Sequence, residues 1–226
     1  MTELEDIRQG VLRFRKKVFP LKRAIYEELA HHQDPQVLFI TCIDSRIDPA
    51  DLCDADPGDM FGERTPGNLV PVYSEIRSGI SASLEYAVTA LKVTDIILCG
   101  HSDCGALKAL LHPEKLEKLP AVERWLHWAD EAVEALKTLP PETPEREKLH
   151  HLCQQNVVAQ LAHLETHPCI QQRLSQGDLR LHGWVYEIHT GEVHRYNPET
   201  KTFAQGSRGT SPPEAPDTGR RSRVYV

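Results

Sequence analysis

Apolar positions in this chain switch spacing wherever a breaker falls, and that alternation carries the fold reading. Leu4, Ile7, Val11, Phe14 and Val18 lie on one face at helical spacing, and Pro20 ends the run. Leu21, Ile25 and Leu29 place a second helix from Leu21 to about His31, broken by Gln33-Asp34-Pro35. Val37–Thr41 is then a near-continuous apolar run of strand length, the mark of a strand covered on both faces. Asp56-Pro57-Gly58-Asp59 is a turn, Met60-Phe61 opens a short second strand, and Arg64–Asn68 reads as loop before extended Leu69-Val70-Pro71.

Ile80, Leu84, Ala87, Val88 and Leu91 predict an amphipathic helix over Ser78–Lys92, followed by a second buried strand over Thr94–Cys99. Gly100 turns the chain into a helix from near Asp103 to about His112. Further helices are expected at Ala121–Leu139, at about Glu145–His167 beyond the Pro140-Pro141 break, and at Pro168–Gln176. Leu179–Ile188 is a long strand, and Thr190-Gly191 turns it into Glu192–Tyr196. Strand and helix in this order predict an α/β fold, a mostly parallel β-sheet flanked by helices with an N-terminal helical arm. Residues 1–205 read as one domain, and the Gly-, Ser- and Pro-rich stretch 206–226 as a disordered tail. The arm's narrow apolar stripes either cap its own core or pack on a partner subunit.

Composition narrows the classes. Across 226 residues, 26 Lys and Arg face 33 Asp and Glu, a net charge of −7, so no basic footprint for nucleic acid exists. The opening Met1–Asp6 has neither a basic nor an apolar stretch of a signal peptide, and apolar runs are too short for a membrane span. A cytoplasmic protein is expected, with a bacterial microcompartment left open. Without a secretion signal, six cysteines point to metal binding or burial rather than a disulfide framework. Cys99 reads as a buried hydrophobe, and Cys53, Cys153 and Cys169 have no ligand-like neighbours.

Cys42 and Cys104 are different. Cys42-Ile43-Asp44-Ser45-Arg46 and His101-Ser102-Asp103-Cys104-Gly105 each follow a predicted buried strand. Parallel strands ending side by side bring Cys42, His101 and Cys104 to one crevice, where α/β proteins place their active sites. Two thiolates and one imidazole suit Zn²⁺, one per chain, and three protein ligands leave a fourth position for water. Asp44 stands two residues beyond its ligand as a carboxylate acceptor for that water. Arg46 has the planar fork to keep Asp44 ionised and turned away from the metal. Cys104 begins a helix, whose positive end favours a thiolate.

These residues resemble the signature of the β-class carbonic anhydrases. The likeness runs from about Gly10 to Tyr196 and takes in Gln33, the Phe61…Arg64…Gly67-Asn68 segment, Leu84-Glu85-Tyr86-Ala87 and His182–Tyr186. It implies zinc on Cys42, His101 and Cys104, an Asp44–Arg46 catalytic dyad, and an apolar CO₂ pocket matching Gln33, Phe61, Tyr86 and the backbone of Gly105. It also implies reversible hydration of CO₂ to bicarbonate by zinc-bound hydroxide, in a homodimer or a larger assembly built from dimers. The chain departs from the family pattern at Gly62, Glu63 and Thr65-Pro66. Phe39 stands where bicarbonate-regulated members carry Trp, while Arg64 and Tyr186 match the rest of that regulatory site, which implies a constitutively open form. Two rival readings are a zinc hydrolase of carbonyl sulfide or carbon disulfide, and a non-catalytic module that binds zinc or bicarbonate.

Overall fold

A computed structural model describes residues 2–74 and 78–205; the expected tail from Gly206 lies outside them. In chain order the elements are α1 (Glu3–Arg13), α2 (Arg23–Leu29), β1 (Val37–Cys42), α3 (Pro49–Cys53), β2 (Met60–Thr65) and α4 (Gly79–Glu85). They continue with β3 (Asp95–His101), α5 (Gly105–Leu110), α6 (Pro120–Leu126), α7 (Asp130–Ala135), α8 (Glu145–Glu165) and α9 (Pro168–Gln176). Strands β4 (Arg180–Glu187), β5 (Glu192–Asn197) and β6 (Thr202–Gln205) complete a sheet ordered β2-β1-β3-β4-β5-β6. The first four strands are mutually parallel and the last two antiparallel.

The two apolar runs occupy the middle of this sheet because both their faces are covered. Leu38, Ile40, Ile96 and Leu98 join one core with Leu84 of α4 and Val157 and Leu164 of α8. Phe39, Ile97 and Cys99 join a second with Leu107, Leu126 and Leu152. Covered on both sides, a strand needs no polar alternation, which is why these two were plain in the sequence. Their pairing, Val37 opposite Asp95 and Thr41 opposite Cys99, makes them end at one level.

Several boundaries differ from the sequence expectation. β2 runs six residues, through Gly62 and Glu63 to Thr65, so Arg64 and Thr65 are strand rather than loop. It lies at the sheet edge, where backbone bonds to β1 decide the conformation and side-chain polarity matters less. The first helix ends in a π-helical turn, Phe14–Val18, and the Ser78–Lys92 helix likewise opens into one at Tyr86–Ala90. The expected Ala121–Leu139 helix is α6 and α7 with 3₁₀ turns at His127–Ala129 and Leu136–Thr138. β6 was missed because only Phe203 is partly covered, against Tyr196 at 5.2 Å.

Among the described residues none of α1, α2 or the π turn is fully buried, although Ile25 and Leu29 are partly covered and Leu29 packs over Gly58. Phe14, Phe19 and Tyr26 cluster on one another, and Lys22 Nζ reaches Asp56 Oδ1 at 2.8 Å, tying the arm's base to the body. Ile7, Val11 and Leu21 stand 67%, 64% and 88% exposed. Of these stripes, the one on α1 is left uncovered by the described residues, whereas the second reaches the body through Leu29 at Gly58.

Helix α8 crosses β3 and β4 at close range over two glycines. A Cβ on Gly100 would stand 2.9 Å from Val157 Cγ2; one on Gly183 would stand 2.9 Å from both Val157 Cγ1 and Leu161 Cδ1. Glycine here serves helix-to-sheet approach, and that approach settles the end of β3 where His101 lies. Gly183→Ala is therefore expected to lower stability by about 1–3 kcal/mol through overpacking. In urea unfolding the midpoint should fall with the slope unchanged, and a wild-type midpoint would contradict this packing.

Candidate metal centre

The site forms where β1 and β3 end. Cys42 is the last residue of β1, His101 the last of β3, and Cys104 caps α5. Their ligand atoms lie within 4.8 Å of one another, and the two sulfurs are 3.9 Å apart. All three residues are buried, at 3%, 0% and 0% exposure. The three sequence candidates for metal ligation thus meet at one point.

Their surroundings select the chemistry. His101 Nδ1 donates to the Ser102 carbonyl at 2.9 Å, a bond only the Nδ1–H form can make. In the neutral ring Nε2 is then left with a lone pair, and this fully buried atom has no hydrogen-bond partner among the described residues. An orphaned imidazole nitrogen facing two thiols is costly unless something binds it. Cys42 is the thiolate of the pair. The Cys104 S–H is the main cause that holds its thiol below the ordinary range despite burial, with the main-chain N–H groups of Asp44 and Gly67 (the latter 3.3 Å from Sγ) adding to it. Cys104 is pushed upward by that adjacent sulfur and by burial, so its proton leaves only when a cation takes its place. A soft two-sulfur, one-nitrogen donor set fits Zn²⁺.

Asp44 and Arg46 take the arrangement their spacing suggested. Arg46 Nε donates to Asp44 Oδ1 at 2.9 Å and Nη2 to Oδ2 at 2.7 Å, a bidentate pair. The guanidinium is the main cause that holds the Asp44 carboxyl well below the usual carboxylate range. Asp44 Oδ2 lies 3.8 Å from His101 Nε2, so an ionised acceptor overlooks the orphaned nitrogen.

Other side chains hold this geometry and were not singled out for that role. Arg64, on the neighbouring strand β2, donates to the carbonyls of Cys42 (3.0 Å), Asp44 (2.7 Å) and Ile47 (2.9 Å). It fastens the turn that carries Asp44. Ser102 accepts from Ile188 N–H through Oγ at 3.0 Å and donates its own N–H to Tyr186 at 2.9 Å, fixing the His101–Cys104 turn to β4. Gly67 has φ 70°, which only glycine adopts freely, and that turn aims its N–H at Cys42. The Pro66-Gly67 pair was the available signal. Pro66 costs this site no donor: its carbonyl accepts from Trp125 Nε1 at 2.9 Å while Gly67 makes the sulfur contact.

The pocket candidates fall in two places. Gln33 and Tyr86 line a cleft of about 670 Å³ with Leu29, His32, Gly58 and Leu91. Phe61 packs against Tyr86, ring centres 5.9 Å apart. None of Cys42, Asp44, His101 or Cys104 lines that cleft, whereas Gly105 sits directly beside Cys104.

Comparison with known proteins agrees with the geometry. The family described as carbonic anhydrase matches residues 37–193. The carbonic anhydrase of Pseudomonas aeruginosa is 44% identical over 200 residues, covering 88% of this chain and 90% of that one. Carbonic anhydrase 1 of Escherichia coli is 41% identical over 200 residues, covering 88% and 91%. Among solved structures, the β-carbonic anhydrase CcaA superposes with a TM-score of 0.87 at 37% identity, over 91% of this chain and 92% of that one. Since both the length of these matches and the α/β architecture extend far beyond the cysteine and histidine motifs, the chain belongs to the β-class carbonic anhydrases.

Proposed function

We propose that this chain catalyses reversible hydration of CO₂ to bicarbonate and a proton, with one Zn²⁺ held by Cys42, His101 and Cys104. The observation that carries the reading is the buried, unpartnered Nε2 beside two sulfurs, with an ionised carboxylate 3.8 Å away. Held by these three side chains, zinc would supply Lewis-acid activation of water.

The chain's own residues do the rest. Arg46 keeps Asp44 charged and bound to the guanidinium, so the carboxylate stays turned away from the metal. Asp44 accepts a hydrogen bond from the reacting water and aims its lone pair at the carbon of CO₂. Because CO₂ is neutral and weakly polar, it needs an apolar surface and one donor. Phe61 and Tyr86 offer the surface, and the Gln33 side-chain amide offers the donor.

Those pocket groups lie apart from the metal ligands of their own chain, which favours assembly. The exposed apolar face of α1 fits a second copy, and pairing two chains would bring Gln33 and Tyr86 of one to the metal centre of the other. A structure titled for two tetrameric β-carbonic anhydrases of Sordaria macrospora, TM-score 0.74 at 27% identity over 85% of this chain and 95% of that one, supports a multimeric form. Phe39 packs edge-on to Trp184, ring centres 6.1 Å apart, and Asp44 is bound to Arg46. Both favour an active form that bicarbonate does not switch off.

Three outcomes follow. Purified zinc-loaded protein should hydrate CO₂ in a stopped-flow indicator assay, and Arg46→Ala should lose about a hundredfold in kcat while keeping its zinc. Full activity in that variant would remove the dyad, and faster turnover of carbonyl sulfide or carbon disulfide than of CO₂ would replace the substrate. Cys104→Ser should lose zinc and thermal stability together, since metal binding adds to folding free energy; stoichiometric zinc in that variant would discredit the ligand. Ile7→Asp with Val11→Asp should shift the sedimenting species to single chains and cut hydration on the order of tenfold through lost substrate positioning. An unchanged assembly would rule out the α1 face as the contact.

A further inference from the structure

The turn between His101 and Cys104 carries a carboxylate that neither metal ligation nor the CO₂ pocket uses. Asp103 stands at φ 51°, in the left-handed region that Asp tolerates better than most residues. In that conformation it presents two acceptors to one partner. Its Oδ2 accepts from Arg46 Nη1 at 3.1 Å, and its main-chain carbonyl accepts from Arg46 Nη2 at 2.9 Å. Its Oδ1 accepts from Lys108 Nζ of α5 at 3.1 Å.

Arg46 is therefore gripped along both edges. Asp44 takes Nε and one hydrogen of Nη2; Asp103 takes the other Nη2 hydrogen and one on Nη1. A lone bond to Asp44 would refer the pair only to its own loop, five residues from Cys42 to Arg46, leaving a long side chain with many rotamers. The second grip refers it to the loop that supplies the other two ligand residues. Charges alternate through Asp44, Arg46, Asp103 and Lys108, so each ion has an opposite neighbour. Such a network holds geometry better than an isolated surface pair.

We propose that Asp103 is a positioning residue for the Asp44–Arg46 pair: by holding the far edge of the Arg46 guanidinium it locks the Asp44 carboxylate in register with the His101–Cys104 turn. Its kinetic consequence rests on the CO₂ hydration reading above.

Asp103→Gly tests this cleanly, because glycine takes φ 51° without strain and keeps the carbonyl that accepts from Nη2. Only the carboxylate goes. The variant should retain one zinc per chain and lose about three- to tenfold in kcat, with KM within about twofold, as for a lost charged hydrogen bond at a partly exposed site. Asp103→Asn, which keeps an oxygen acceptor for Nη1, should restore most of the rate. In the Arg46→Ala background, Asp103→Gly should cost nothing further. Wild-type kcat in Asp103→Gly, or an equal fall in both backgrounds, would overturn the proposal. Hydrogen exchange at Arg46 Nε–H, followed by NMR in the zinc-loaded protein, reads the same grip without turnover. Protection there should fall in Asp103→Gly, and unchanged protection would overturn the proposal even if the chain hydrated no CO₂, a result that would sink only the proposed reaction.

Discussion

Removing a histidine ring and two thiols from water together, and leaving one ring nitrogen with nothing to bond, is the constraint on which the rest of this molecule turns. His101 is completely buried, its Nδ1 is spent on the Ser102 carbonyl, and its Nε2 faces sulfur. In a closed apolar core this would be a standing penalty. Here the penalty points to a ligand, because the same three atoms converge within 4.8 Å and one sulfur already favours its anion. The surrounding bonds keep this arrangement in place: Arg64 ties three carbonyls at and just after the end of β1, Gly67 directs an N–H to Cys42, and β4 holds the turn at Ser102.

The sheet sets the stage for that convergence through register. Two fully covered parallel strands end at the same level, and α8 can press on β3 and β4 because Gly100 and Gly183 leave room for Val157 and Leu161. Motifs far apart in sequence are thereby held as neighbours by two cores, one on each face. Site precision is inherited from strand pairing and helix approach, whereas loops supply only the last few ångströms.

Much of this could be read from residues alone, for a physical reason. Val37–Thr41 and Thr94–Cys99 announce themselves because strands buried on both faces need continuous apolar runs, and the ligand motifs follow them directly. Asp44 and Arg46 were legible because a carboxylate and a guanidinium two residues apart can pair within one turn. What could not be read depends on non-local geometry. β2 continues through Gly62 and Glu63 because its edge position is decided by bonds to β1. Arg64 offers no local sign that it will span to the carbonyl at the end of β1 and to two more in the turn that follows. Asp103 looks like any polar loop residue until the left-handed turn aims it at Arg46. The exposed face of α1 has the periodicity of an ordinary core helix, and only the folded chain reveals that the described residues leave it uncovered.

The most direct test of the account is zinc K-edge X-ray absorption on the purified protein, taken with the zinc content of the same sample. The account predicts one zinc per chain, with two sulfur neighbours at about 2.3 Å, one imidazole nitrogen and one further light atom from outside the protein. A sample that takes up no zinc, or a first shell with a single sulfur or four protein ligands, would contradict it.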